Sequence, residues 1–281
     1  MDISEFLMKA WSPEPGVIAL AVFMLTLFAL AGGFRDKWRT ILFVSGMALM
    51  VLAVISPLGH LGRNYLLSAH MIQHIVLLLV VPLFILFGMP KAAAERALSW
   101  KPAGAVMGVL GNPIVAWTLG VGSMWLWHVP SVHDAVIASD GLYAAQQVSF
   151  VLIGIIFWWP VFAPVESQRL PHLRSTLYLA SACLGCTILG ILLTFAGAGV
   201  YAAYLNPQDA AGILPYLRND LCITPGVDQQ IAGLTMWVPG CMIYLTASMI
   251  TLGQWYRTPE AGDVAAPAHG SVVLMDGGKT V

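Results

Sequence analysis

Charged residues are scarce in this chain of 281 residues. Only 10% are Asp, Glu, Lys or Arg, whereas 58% are hydrophobic, and the mean hydropathy is +0.79. This composition excludes a typical water-soluble globular domain, because the surface of such a domain carries a much larger fraction of charged residues. With 13 basic and 14 acidic residues, the chain also lacks the positive field that holds nucleic acid. The sequence therefore predicts an integral membrane protein whose solvent is the lipid bilayer.

Cysteine and the common catalytic motifs are also scarce or missing. Four cysteines in a chain of this length do not make a disulfide framework. Cys183 and Cys186 stand among small residues, which is typical of a close contact between helices. Glycine-rich phosphate loops, a G-x-S-x-G elbow and an H-E-x-x-H motif are absent. We therefore predict that the protein is not an enzyme.

Long apolar runs dominate what is present. A helix of about twenty apolar residues crosses a bilayer, and charged or Pro/Gly-rich breaks divide the chain into seven such runs. They are residues 17–34, 40–57, 66–88, 105–128, 142–163, 176–204 and 229–256. The predicted fold class is an all-α integral membrane protein, a bundle of seven transmembrane helices within residues 1–257. Residues 91–101 predict a short amphipathic surface helix, and residues 258–281 a polar, disordered cytoplasmic tail.

Basic residues are distributed unevenly between the predicted loops. Ten of the 13 follow the first, third and fifth spans or lie in the tail, and three lie on the other side. Because cytoplasmic loops are enriched in Lys and Arg, this bias predicts an N-terminus outside and a C-terminus in the cytoplasm.

Histidines gather on the predicted outer side. Five of the seven fall at or just beneath that face: His60, His70, His74, His128 and His133. His70 and His74 are four residues apart, so they project from one helix face about 6 Å apart along the axis. Ionisable side chains in a bilayer are costly and usually serve a function. The pair is interpreted as a metal-binding pair, with a purely structural role as the alternative.

Soft or acidic groups accompany these histidines. Met71, Met124 and Met236 lie in the same outer halves, and thioether with imidazole suits Cu(I) better than Mg²⁺ or Ca²⁺. Simple packing is the alternative for each methionine. Asp228 stands where the last span begins, either as the ordinary cap of that helix or as a partner that orients an imidazole.

Four strings resemble a known family in their order and spacing. SAHMIQH (68–74), WLWHVP (125–130), FWWP (157–160) and DQQIAGLTMW (228–237) are similar to the CtaG family of cytochrome c oxidase assembly factors. The resemblance implies a bacterial inner-membrane accessory factor that helps copper reach a haem-copper oxidase. Its implied partners are oxidase subunits and a periplasmic copper donor. It also implies copper-site roles for His70, His74, His128, Asp228 and Met236, whereas His60 and His133 are candidates by position alone.

One position departs from the family pattern. Members of the family often carry a histidine just before the string corresponding to Val148-Ser149-Phe150, and Gln146-Gln147 stand there in this chain. An amide is a poor ligand for soft copper. The copper site is therefore expected to have fewer imidazoles, or the glutamine to hold a water or an outer contact.

Two other functions stay open on the sequence. In a haem-binding electron-transfer protein, His70 or His74 could pair with His128 across a haem. A copper transporter would need polar groups through the full membrane depth, where the inner halves offer mainly Cys183, Cys186 and Cys241.

Overall fold

The computed structural model describes residues 3–257, and within them the chain is helical with no β-strand. The predicted tail at 258–281 lies outside the described residues. Twelve helices are used below: α1 (Ile3–Lys9), α2 (Pro15–Leu30), α3 (Lys37–Ile55), α4 (Pro57–Asn64), α5 (Leu67–Gly88), α6 (Lys91–Ser99), α7 (Lys101–Leu110), α8 (Pro113–Trp127), α9 (Pro130–Ile137), α10 (Asp140–Phe162), α11 (His172–Phe195) and α12 (Pro225–Arg257). The predicted helix at residues 91–101 is present as α6, and its place at the membrane surface stays a prediction.

Five of these helices are long and apolar enough to cross a membrane: α3, α5, α10, α11 and α12. The predicted span 105–128 is broken, because α7 and α8 meet at 67° and only together reach spanning length. Asn112 causes the break, since its side chain accepts a hydrogen bond from the Ile114 N–H and starts a new helix at Pro113. Helix α2 has 16 residues, about 24 Å, which is short for a hydrocarbon core of about 30 Å.

The predicted span 176–204 is wrong at its end. Helix α11 stops at Phe195, and the chain then forms a loop that reaches α12 at Pro225. Gly199 has a φ of 100°, a backbone conformation that favours glycine and cannot continue a helix. The residues assigned to the end of this span therefore belong to a loop, hereafter the 196–224 loop.

Helix α5 contains a π-helical segment, Val76–Val80, directly after His74. Pro82 has no N–H to give to the Leu78 carbonyl, and the chain widens so that the Val81 N–H bonds to the Val76 carbonyl instead. Gly154 of α10 fits against the freed Leu78 carbonyl, which a Cβ at residue 154 would approach to 2.3 Å. The central helix α5 is thus held tightly against α10 just beyond the histidines.

Close helix contacts hold the rest of the bundle. Gly190 of α11 packs against Trp237 of α12, and a Cβ there would lie 2.7 Å from the Trp237 Cβ. The Cys186 thiol bonds to the Met236 carbonyl across the same interface, which confirms the predicted helix contact. We call the end of the bundle where α5 and α12 begin the histidine end, and the end where α5 and α12 stop the opposite end.

Candidate metal centre

The start of α5 is fixed by residues from two other helices. The Asp228 carboxylate accepts hydrogen bonds from the Leu67 N–H at 2.7 Å and from the N–H of Ser68 at 3.0 Å, and the Ser68 hydroxyl also donates to it. Gly62 of α4 packs against the backbone of His70, where a Cβ would lie 2.8 Å from the His70 nitrogen. These contacts set the position from which His70 and His74 project.

Four imidazoles come together at the histidine end. The rings of His70 and His133 are 4.9 Å apart between centroids, and those of His74 and His128 are 5.4 Å apart, both edge to face. All four side chains are buried, with exposed fractions between 1% and 7%. The structure therefore gathers four of the five outer histidines that the sequence singled out.

His128 presents a free lone pair to a methionine. Its Nδ1 lies 2.6 Å from the Met124 carbonyl oxygen, which can only accept, so Nδ1 carries the proton. In the neutral ring Nε2 then has a lone pair, and it faces the Met71 Sδ at 3.3 Å. The thioether carries no hydrogen, so two lone pairs converge with no proton between them. A soft cation such as Cu(I) fits this arrangement.

Imidazole nitrogens without partners fit the same ion. The Nδ1 of His70 and both ring nitrogens of His74 are buried and make no hydrogen bond. Buried polar atoms are normally paired, so orphaned ones need an explanation such as an ion or water. Yet nowhere in residues 3–257 are three His, Cys, Asp or Glu side chains arranged to hold a metal. The rings approach each other as two pairs, His70 with His133 and His74 with His128.

Aromatic side chains wall the cluster. Phe150 of α10 packs on the His74 ring at 4.7 Å between centroids. From the 196–224 loop, the Tyr201 ring packs on His133 at 4.9 Å, and the Tyr204 hydroxyl lies 3.3 Å from the His133 Nε2. Burial, followed by the nearby His128, lowers the pKa of His133 to about 3, so this ring is neutral at physiological pH.

The two glutamines that replace the histidine of the family pattern are also buried, on α10 near Phe150. Gln146 and Gln147 are 0% and 1% exposed on α10, and the Gln147 amide donates to the Gln146 carbonyl oxygen at 3.4 Å. The Gln146 Nε2 and the Gln147 Oε1 have no hydrogen-bond partner. A metal-binding role for either amide stays a prediction.

His60 lies apart from the cluster, in α4. Its Nδ1 is 3.3 Å from the Ser12 hydroxyl, and it lines a polar cavity of about 300 Å³ with Arg63 and Asp140. Arg63 pairs with both Asp140 and Glu14 there. Burial, followed by the charge of Arg63, lowers the pKa of His60. His60 belongs to this ion-paired surface rather than to the four imidazoles.

Asp228 and Met236 make other contacts. The carboxylate of Asp228 bonds to the start of α5, so the expectation that it caps its own helix is wrong: α12 begins three residues earlier, at Pro225. Met236 is fully buried in the main hydrophobic core. The direct copper roles of both residues stay predictions.

Several contributors to the site were not among the residues that the sequence assigned a copper-site role. Met71 carried a signal, since it is a thioether three residues before His74. Phe150, Tyr204 and Gly62 carried none, because their approach depends on how α10, the 196–224 loop and α4 pack on α5.

A family model and several distant relatives match this chain. The chain is 22% identical to an uncharacterized protein of Mycobacterium leprae (strain TN) over 88% of its length, and 22% identical to one of Mycobacterium bovis over 85%. It spans only 38% of the length of these curated relatives. No solved structure gives a significant match. The family described as cytochrome c oxidase caa3 assembly factor (Caa3_CtaG) matches residues 17–258. The chain therefore belongs to the cytochrome c oxidase caa3 assembly factor family.

Proposed function

We propose that the protein is a membrane-embedded assembly factor that binds Cu(I) among His70, His74, His128, His133 and Met71 and helps deliver it to a haem-copper oxidase. One observation carries the copper assignment: the His128 Nε2 and Met71 Sδ lone pairs face each other at 3.3 Å with no proton between them. Burial of two such groups without a partner costs free energy that a bound cation would recover. Copper is here a cargo, and no chemical reaction is assigned to the protein.

The proposed setting is a bacterial inner membrane, with the histidine end facing outward. Seven passes, counting α2 and the broken α7–α8 pair, put the N-terminus outside and the C-terminus in the cytoplasm. The cation bias of the loops supports this orientation. Reporter fusions after Arg35 and Lys101 are expected to be cytoplasmic, and a fusion at Asp140 periplasmic. A periplasmic signal at Lys101 would reverse the orientation and place the imidazoles on the cytoplasmic side.

The two alternatives have less support. Haem ligation between His74 and His128 would require a macrocycle between two rings that already touch at 5.4 Å. Transport would require copper ligands through the whole bundle. Towards the opposite end, the described part of α11 and α12 buries the hydroxyls of Ser175, Ser248 and Thr251, and hydroxyl oxygen is a poor ligand for soft Cu(I). An absorbance spectrum of the purified protein with a Soret band would favour the haem alternative.

The test of the function uses a strain of the source bacterium that lacks this protein, grown at low copper. We expect the oxidase polypeptides and haem to be present, and the oxidase copper content and activity to be lost. The wild-type chain should restore both, and His74→Ala should not. Cys183→Ser is the control and should restore both. Fully copper-loaded oxidase in the deletion strain would refute the assembly role.

A further inference from the structure

The four imidazoles are organised as two pairs that differ in their surroundings. His70 and His133 are called the tyrosine pair, because the Tyr204 hydroxyl lies 3.3 Å from the His133 Nε2. His74 and His128, here the thioether pair, adjoin the Met71 Sδ, which lies 3.3 Å from the His128 Nε2. That no three His, Cys, Asp or Glu side chains converge on a metal-holding geometry within residues 3–257 agrees with a division into twos.

The two pairs lie at different depths. His70 and His74 are one helical turn apart on α5, which separates the pairs by about 6 Å along the helix axis. His70 is nearer to the start of α5, and its partner His133 comes from the short helix α9 and contacts the 196–224 loop. An ion arriving from the histidine end therefore meets the tyrosine pair first.

The deeper pair also offers the softer ligands. In the tyrosine pair, His133 is already engaged by the Tyr204 hydroxyl and the Trp127 backbone, and the set offers only oxygen and nitrogen. Such a set binds soft Cu(I) less well than one that includes a thioether. The deeper pair has the thioether, and it also has His74, both of whose ring nitrogens are without partners. Affinity for Cu(I) is thus expected to rise with depth.

We propose that the two pairs are successive copper stations: the tyrosine pair receives Cu(I), and the thioether pair with Met71 retains it until delivery. This inference rests on the proposed function and adds to it a direction and a division of labour. Tyr204 belongs to the receiving station because its hydroxyl also donates to the Gly62 carbonyl oxygen, at 2.7 Å, and so ties the loop to α4 beside His70.

The test loads purified full-length protein with Cu(I) from a competing chelator and measures the equilibrium affinity, the loading rate and the sulfur scattering in the copper X-ray absorption spectrum. Met71→Leu, which conserves volume, should remove the sulfur signal and weaken the final affinity about tenfold. His133→Gln should keep the sulfur signal and the affinity but slow loading about tenfold. Met47→Leu is the matched control and should change none of the three, because Met47 is equally buried but lies in α3 beside Gly46, which packs against Phe84 towards the opposite end of α5.

The outcomes separate the two levels of the proposal. If His133→Gln and His128→Gln weaken the affinity equally without slowing loading, the rings form one site and the two-station proposal is wrong, while copper binding stands. If Met71→Leu keeps the sulfur signal, the assignment of the retaining station is wrong. If wild-type protein binds no Cu(I), the proposed function fails and the two stations fail with it.

Discussion

The two ends of the bundle bury different kinds of side chain. At the histidine end, imidazoles, amides and a carboxylate are buried together, among them His70, His74, Gln146 and Asp228. At the opposite end the largest buried side chains are aromatic, with Phe157 packed against Trp158 and Tyr178 at 5.2 Å between centroids. The buried polar side chains there include neutral hydroxyls such as those of Ser248 and Thr251, and within residues 3–257 none of them is an imidazole or a carboxylate like those at the histidine end. Burial of polar groups in a bilayer costs free energy unless they are paired or serve a ligand. The aromatic end can be explained by stability, and the histidine end requires a further reason.

The largest effect on folding is expected from the buried carboxylate. Asp228→Ala leaves the N–H groups of Leu67 and Ser68 without an acceptor, and should lower the free energy of unfolding by at least about 2 kcal/mol. Asp36→Ala is the matched control at the opposite end, where an exposed aspartate accepts from the Trp38 and Arg39 N–H groups and water can replace it. Thermal unfolding of both variants in detergent measures the two losses of stability. Equal losses would show that the burial of Asp228 does not strengthen its contribution to stability.

A methyl group added beside His70 should have the next largest effect. The Cβ of Gly62→Ala would lie 2.8 Å from the backbone nitrogen of His70 and push α4 away from α5. The free energy of unfolding should fall by about 1–3 kcal/mol. Gly122→Ala has open space around its Cβ and should be neutral or slightly stabilising. The free energy of unfolding and the affinity for Cu(I) should both fall in Gly62→Ala, and neither should fall in Gly122→Ala. Unchanged Cu(I) affinity in a destabilised Gly62→Ala protein would mean that this contact does not position His70.

Each end of the bundle buries a tyrosine hydroxyl that donates to a backbone carbonyl of another segment. The Tyr204 hydroxyl donates to the Gly62 carbonyl at 2.7 Å, and the Tyr178 hydroxyl donates to the Phe157 carbonyl at 2.8 Å. Replacing either by Phe should cost about 1 kcal/mol of stability, because one buried hydrogen bond is lost in each case. Only Tyr204→Phe should slow Cu(I) loading. Equal loading rates for the two variants would remove Tyr204 from the site.

The smallest effect concerns His60 and pH. Because burial and Arg63 lower its pKa in the folded protein, the neutral ring stabilises the fold above the unfolded pKa of about 6.5, and this contribution is lost as the pH falls below that value. The melting temperature of wild-type protein should therefore fall slightly more between pH 7.5 and 5.5 than that of His60→Gln. The effect is small because His60 is partly exposed and water screens its charge. Parallel curves would show that His60 does not titrate with folding.

Sequence reasoning located the apolar helices and four members of the cluster, and it missed what depends on packing. Hydropathy identified α3, α5, α10, α11 and α12 because lipid imposes length and apolarity on each segment separately. It missed the break before Pro113, where Asn112 starts a new helix, and the end of α11 at Phe195, where the backbone turns extended at Ala196 although the sequence stays apolar.

The same distinction holds within the site. The spacing of His70 and His74 places both on one helix face, so the pair could be predicted. The contact between Tyr204 and His133 joins residues 71 positions apart, and Asp228 reaches Leu67 over 161 positions. Such contacts depend on the tertiary arrangement, and a single sequence carries no local signal for them.

A Cu(I) titration is the most direct test of copper binding by the four imidazoles. Purified protein would compete with a Cu(I) chelator under reducing conditions, and wild type would be compared with His70→Ala/His74→Ala and with Cys183→Ser/Cys241→Ser, which removes soft ligands outside the imidazole cluster. Cu(I) should be stoichiometric in wild type and in the cysteine variant, and absent from the histidine variant. Stoichiometric copper in a folded histidine variant would contradict this prediction and leave the four imidazoles with a structural role.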